Sequence, residues 1–361
     1  MRALINAVAF LHGHFDIQIA TRIHDEGDAT PYPGITSDRW TPLPSGEEAR
    51  YIAAVTPTKV RDAVLSARPD VVWLTSYFSP FTIWFLLLRR FGRLPRNLPV
   101  ILSVHGELSP SALVNKRPRK QAFIAIAKAL RLHHGVTFHV TDAAERATIT
   151  AFHPAAEMRE VGNLVSSPIA ASPTAKQRGS LRLVYLSRIH PQKNLAFLLQ
   201  VLLELDVNNE AGGISLDIYG PVLSAEYWRE CQSIISAFKN VAVTVHGPLP
   251  RNEIGTALES ADLFVLPTLN DNFGYAIIEA WQHSRPVLIS QSTPWRGLES
   301  AQVGWDLPLH AEQWKSVLLH CLNMQAPDWQ RLCDNAHAHY DQLHRENLAT
   351  QGQRLLELLN T

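Results

Sequence analysis

The sequence predicts an α/β protein of two doubly wound domains, each a parallel sheet with helices on both faces. Three observations predict it. Short apolar runs of strand length alternate with helix-period segments along most of the chain, as crossover-linked parallel strands require. Several runs end in glycine or polar residues, at 105–109, 187–193, 220, 246–247 and 270–274, where the ligand crevice of such a sheet lies. Residues 163–180 (NLVSSPIAASPTAKQRGS) interrupt the alternation with a Ser/Pro/Ala-rich stretch. That places a first domain at 1–163, a linker at 164–180 and a second domain at 181–361.

Residues 1–11 already have helical period, with Leu4, Val8 and Leu11 on one face. A domain of this kind normally opens with a buried strand and a glycine-rich turn. Here the chain opens inside the first helix, so either the start lies upstream or that strand and loop are missing. A short strand follows at 17–20, then a long turn-rich loop at 24–44 (HDEGDATPYPGITSDRWTPLP). The spacing predicts a strand at 50–55, a helix at 58–67 and a buried strand at 71–75. Residues 80–91 include FTIWFLLLRRF, which suits a core helix or one lying on a membrane surface. Strands at 100–104, 136–140 and 157–161 and helices at 121–132 and 142–152 complete the first domain. In the second, strands at 181–186, 214–219, 241–245, 263–266 and 287–290 alternate with helices from 195, at 225–238, at 251–260 and after 274. From 311 onward the chain reads as helical, and its last helix, 347–359, is expected to pack back on the first domain.

Bulk properties exclude several classes. With 46% hydrophobic and 18% charged residues over 361 positions, the chain can bury large cores. Zero formal net charge argues against a nucleic-acid binder. Residues 1–170 carry 19 basic and 14 acidic side chains, and the remainder the reverse. Cys231, Cys321 and Cys333 lack metal or redox spacing and suit reduced thiols. The sixteen histidines form no HExxH-like pattern, so no metal is expected. No secretory leader is expected, and no apolar run near 18 residues is present in the sequence. A cytoplasmic protein is expected, in peripheral contact with the inner face of the membrane.

The chemistry-bearing stretch is Asp271-Asn272-Phe273-Gly274 running into a helix that carries Glu279. A helix N-terminus offers unpaired N–H groups and partial positive charge, suited to phosphate or an oxygen-rich ligand. Carboxylates on both sides of the loop suit a polyhydroxylated ligand such as a nucleotide sugar. Arg188 and Lys193, five apart between a strand end and a helix start, can converge on a diphosphate. Gly220, and His246 with Gly247, follow strands where backbone approaches ligand, or form simple turns. His105 is a candidate base or sugar-binding group, or a turn histidine. Glu107 is the one acid among ten basic side chains at 85–131. The cluster Lys116, Arg117, Arg119 and Lys120 suits anionic lipid or a phosphate-bearing acceptor, or is a solvated loop. No GxGxxG or GxxxxGK[ST] is present, so dinucleotide and P-loop sites find no support.

These motifs together resemble a GT-B glycosyltransferase of family 4. They are SRIHPQKNL (187–195), NDNFGYAIIEA (270–280), RPVLIS (285–290), TPWRGLE with GW (293–299, 304–305), HGELSPSAL with Lys116, and RIHDEGD with YPGI (22–28, 32–35). The resemblance spans nearly the whole chain. It implies two Rossmann-like domains facing a cleft, and a retaining, metal-independent transfer from a UDP- or GDP-linked sugar to a glycan or lipid-linked acceptor, often in polysaccharide or lipopolysaccharide synthesis. Arg188 and Lys193 would hold the diphosphate and Glu279 the ribose. Asp271, Asn272, Phe273 and Gly274 would hold the donor sugar, and His105 would lie at the sugar or acceptor. Two departures stand out. Asp271 replaces the first glutamate of the family's Glu-x7-Glu pair, and the family's first strand and glycine-rich loop are missing, with loss of that loop expected to leave a hydrophobic slot beside the sheet. Two rival readings remain: a nucleotide-sugar 2-epimerase, and a truncated, non-catalytic nucleotide- or glycan-binding relative.

Overall fold

The structure is a computed structural model that describes residues 2–24, 30–109, 113, 117–171 and 176–360. The chain divides into two compact units, Met1–Leu164 with Asn347–Thr361, and Val165–Glu346.

In the first unit, α1 (Arg2–Leu11) buries Ala7 and Leu11. Strands β1 (Gln18–Arg22), β2 (Trp40–Pro42) and β3 (Glu48–Ile52) form one small sheet in the order β1-β3-β2. The stretch expected to be loop throughout therefore contains a strand. Its end gains backbone pairs antiparallel to β3, and the Trp40 indole N–H donates to the Ser66 hydroxyl at 3.0 Å. Helix α2 (Pro57–Ala67) starts at a Thr56 cap with proline in its first turn, and Arg68 ends it in the left-handed region. Then come β4 (Val72–Thr75), α3 (Pro80–Arg90), β5 (Val100–Ser103), α4 (Arg117–Ala129), β6 (Thr137–Val140), α5 (Ala143–Phe152) and β7 (Glu157–Glu160). Helix α3 is a core helix, with Phe85 and Leu86 fully buried. Its Arg89 guanidinium donates to the carbonyls of His134, Arg96 and Gly135.

Strands β4 to β7 form a second, parallel sheet in chain order. Among the described residues, β1 pairs only with β3 and β4 only with β5, so the strands of this unit fall into two sheets. A cavity of about 20 Å³ in this unit is lined by Leu4, Trp73, His105, His139, Val161 and Leu355 among others, room for about one water.

The second unit is a single six-stranded parallel sheet. Its elements are β8 (Leu181–Leu186), a 3₁₀ turn at Pro191–Lys193, α6 (Leu195–Val207), β9 (Ile214–Tyr219), α7 (Ala225–Ile235), β10 (Ala242–Gly247), α8 (Ile254–Ser260), β11 (Leu263–Leu266), α9 (Tyr275–Gln282), β12 (Val287–Ser290), β13 (Gly304–Leu307), α10 (Ala311–Asn323) and α11 (Ala326–Asn347). The strand order is β10-β9-β8-β11-β12-β13. Strand β13, which the sequence reading does not include, extends the sheet beyond β12. Central strands β11 and β12 are buried at every position, as a sheet covered on both faces demands. Trp281, Trp314 and Trp329 anchor the core, all fully buried.

The strand order reverses between β8 and β11, which lie side by side. In a doubly wound sheet the connections at such a reversal leave toward opposite faces, and ligands bind beyond the C-terminal ends of the strands there. Residues 347–361 leave the second unit. After a π-helical turn at Leu348–Gly352, α12 (Gln353–Leu359) places Leu355, Leu358 and Leu359 in one cluster with Ala7, Leu11 and Ile101 of the first unit.

Candidate functional site

The turn after β8 and the loop after β11 meet at this reversal and are tied together. The Leu269 N–H donates to the Gln192 carbonyl at 2.8 Å, and the Thr268 hydroxyl to the same oxygen at 3.1 Å. Lys193, buried, is drawn across. Its ammonium lies 2.6 Å from Asp271 Oδ2 and 3.5 Å from the Asn270 carbonyl. The other carboxylate oxygen of Asp271 accepts the N–H groups of Gly274 at 2.7 Å and Phe273 at 3.3 Å. Gly274 takes φ 74°, which aims the chain into α9 and favours glycine. The Trp295 indole N–H donates to the Phe273 carbonyl at 2.8 Å and holds the loop from its other side. Asn272 and Arg188 are exposed, and Glu279 is half-buried on the second turn of α9. The structure thus brings Lys193, Asp271, Phe273 and Gly274 into one constellation, with Arg188 on the turn that carries Lys193.

A second group stands at the ends of β9 and β10. The pairing register shifts between Val245 and Gly247, so His246 is the extra residue of a bulge. Its Nε2 lies 2.6 Å from Asp217 Oδ1, and its ring stacks on Tyr219 with centroids 4.3 Å apart and 8° between planes. Burial raises the Tyr219 pKa, and the Asp217 charge adds to it. Asp217 and Tyr219 escaped the sequence reading. Their signal is strand alternation, which puts residues two apart on one face. Gly220 has φ 144°, and a Cβ there would stand 1.9 Å from the Ser187 carbonyl oxygen. Gly247 has open space around it.

In the first unit, His105 follows β5 with φ 51°, and Gly106 follows with φ 73°. Two carboxylates fasten this turn. Glu145 on α5 accepts the N–H groups of Gly106 at 2.7 Å and Thr141 at 2.8 Å. Glu107 accepts the Tyr77 and Phe78 N–H groups at 2.8 and 3.2 Å and the Ser76 hydroxyl at 2.8 Å. Both Glu107 oxygens are therefore engaged by the chain itself. The His105 ring is open to solvent on one side and walled by protein on the other. Burial lowers its pKa, and the charges of Glu145 and Glu107 offset part of that. Of the basic cluster, Lys120 lies 5.1 Å from the Phe78 ring centroid and Arg119 is exposed. Lys116 and the side chain of Arg117 lie outside the described residues. Cys231, Cys321 and Cys333 are free and buried. Among the described residues, no three His, Cys, Asp or Glu side chains group as metal ligands, and no helix is long and apolar enough to cross a membrane.

Solved structures share this architecture across the chain. HepE from Anabaena, in complex with UDP and glucose, superimposes with a TM-score of 0.65 at 14% identity, covering 100% of this chain and 96% of that one. Sucrose-phosphate synthase from Thermosynechococcus elongatus gives 0.65 at 17% identity, covering 99% and 92%. WaaG, described as a glycosyltransferase involved in lipopolysaccharide biosynthesis, gives 0.51 at 12%, covering 90% and 95%. Identities this low speak for the fold. Two parallel-sheet α/β units of this kind make up the GT-B fold. The sequence matches the family described as "Glycosyl transferases group 1" over residues 180–306 and that described as "Glycosyl transferase 4-like domain" over residues 6–163, so the two matches span most of the chain. The chain belongs to the group 1 glycosyltransferases. No protein of curated function matches it.

Proposed function

We propose that the enzyme moves a sugar from a nucleoside-diphosphate donor to a glycan or lipid-linked acceptor, with retention of configuration and without a metal, in the building of a surface polysaccharide. The observation that carries this reading is the position of Lys193 and the 271–274 loop at the reversal between β8 and β11. A cation and the opening N–H groups of α9 there face the place where a diphosphate gains charge as it leaves. The structures of HepE with UDP and glucose support a UDP-type donor.

In this reading the bond from the anomeric carbon to the donor phosphate oxygen breaks, and its electron pair stays on the diphosphate. Arg188, Lys193 and the α9 dipole stabilise that charge. Glu279 accepts the ribose hydroxyls. The acceptor oxygen bonds to the anomeric carbon on the face the diphosphate leaves, and its proton passes to the departing phosphate. His105, whose lowered pKa keeps the ring neutral near pH 7, offers an acceptor or donor nitrogen to the sugar. Arg119 and Lys120 draw the enzyme to an anionic membrane surface that carries the acceptor.

The test is calorimetric titration of UDP and GDP into the wild type and Lys193→Ala. We expect the wild type to bind one of them and the variant to bind at least about tenfold more weakly, the scale of one lost charge-assisted hydrogen bond. Equal affinity in the two proteins sinks the assignment of Lys193 to the diphosphate.

A further inference from the structure

The constellation holds a detail that the donor reading does not require. Both oxygens of Asp271 are spent inside the protein. Oδ1 accepts two backbone N–H groups of its own loop, Gly274 at 2.7 Å and Phe273 at 3.3 Å. Oδ2 lies 2.6 Å from the Lys193 ammonium. The pair is largely sheltered, with 11% of the Lys193 side chain and 21% of the Asp271 side chain exposed. The backbone fixes the arrangement, because the Asp271 N–H donates to the Ser292 carbonyl at 3.0 Å. An aspartate reaches back to amides two and three residues ahead, and a side chain one methylene longer would overshoot them. Lys193, in turn, has three ammonium protons. One faces Asp271, one the Asn270 carbonyl at 3.5 Å, and the third remains for a phosphate oxygen.

We propose that Asp271 is the internal counter-ion of Lys193. It holds the ammonium in place in the empty enzyme and competes for it with the diphosphate of the product nucleotide. It is thus a positioning residue that acts on the cation and on product release, while the donor sugar is held by other groups. The inference rests on the donor reading above. Its physical consequence is a change of sign: a carboxylate beside a diphosphate repels it, so neutralising Asp271 tightens nucleotide binding. Loss of a sugar-binding group cannot do that, and neither can local unfolding.

The experiment titrates UDP, GDP, ADP and dTDP into wild-type protein, Asp271→Asn and Asp271→Ser. Both replacements keep a side-chain oxygen that can cap Gly274 and remove the charge. The nucleotide that binds the wild type should bind both variants more tightly, on the order of tenfold at low salt, with the gain shrinking as salt screens it. Sugar-nucleotide affinity should rise in parallel. Unchanged nucleoside-diphosphate affinity in the variants, with weaker binding of the sugar nucleotide alone, overturns the proposal and returns Asp271 to the sugar. If both variants bind nucleotide more weakly while melting at the wild-type temperature, the counter-ion role also falls and the donor reading stands. If the wild type binds none of the four, the donor reading itself falls and takes this one with it.

Discussion

Gly220→Ala tests the geometry of the crevice at a single atom. An added Cβ would stand 1.9 Å from the Ser187 carbonyl oxygen, 2.6 Å from the Ser187 carbonyl carbon and 3.3 Å from the Arg188 nitrogen. All three are backbone atoms, so no side chain can swing away. An ordinary carbon–oxygen contact is about 3.4 Å, and one of the two turns must therefore shift by over 1 Å. Forcing a residue with a Cβ to φ 144° adds on the order of 1–3 kcal/mol, and the clash adds about 1–3 more. A total of roughly 3–5 kcal/mol is expected. Gly247→Ala is the control. It also has a positive φ, 77°, but nothing lies within 4 Å of its Cβ, so about 1 kcal/mol is expected. Urea denaturation followed by tryptophan fluorescence compares the two, since four buried tryptophans, Trp281, Trp305, Trp314 and Trp329, report on this unit. With a slope of about 2–3 kcal/mol per molar, Gly220→Ala should lower the midpoint by roughly 1–2 M and Gly247→Ala by less than about 0.5 M. The shift also carries Arg188 away from Lys193, so nucleotide affinity should fall in the first variant alone. Equal midpoints would refute the reasoning.

Acid should weaken the first unit. His133 stacks on Tyr77 with centroids 4.9 Å apart, His153 lies 2.9 Å from the Tyr77 hydroxyl, and the two imidazole centroids are 4.6 Å apart. Burial lowers His133 to about 3 with help from His153, and lowers His153 to about 4 with help from Lys128. The folded protein therefore keeps both neutral, while the unfolded chain takes up protons below about 6.5. Their stabilising effect is full above that pH and is lost as pH falls toward 4 and then 3. Between pH 7 and 5 a loss on the order of 2 kcal/mol for the two histidines together, discounted for solvent screening, should appear as a lower melting temperature. A His133→Phe variant as acid-sensitive as the wild type would count against it. At the basic cluster, Arg119→Glu with Lys120→Glu should release the protein from vesicles of anionic lipid in a sedimentation assay. A wild type that never sediments with them at modest salt removes the membrane reading.

Much of this was legible along the chain because period and punctuation survive in one dimension. The alternation of apolar runs and helical segments marks β8, β9, β11 and β12, whose burial leaves an unmistakable hydrophobic signature. Strand β13 escaped because Gly304 and Asp306 dilute four residues that are held by pairing with β12. Strand β2 escaped for a related reason: its three residues are half-buried or exposed, and backbone bonds to β3 define it. Lys193, Asp271 and Gly274 were visible because they sit in compact motifs. That Asp271 turns inward was not, since it depends on a lysine 78 positions away and on the left-handed turn at Gly274. The Asp217–His246 pair depends on register and on a bulge, neither of which composition records.

The first unit is assembled from two distant pieces of chain. Leu355, Leu358 and Leu359 are needed to cover Ala7 and Leu11, yet more than 300 residues separate them. On a ribosome, the amino-terminal half emerges first but must wait with an uncovered apolar face. The 165–346 unit has all its strands and helices in one stretch and can close as soon as it clears the exit tunnel. The second unit in the sequence is thus the first able to finish. The interval before α12 emerges is when chaperones would hold this chain, and a stop codon near residue 346 would leave that interval open for the life of the protein.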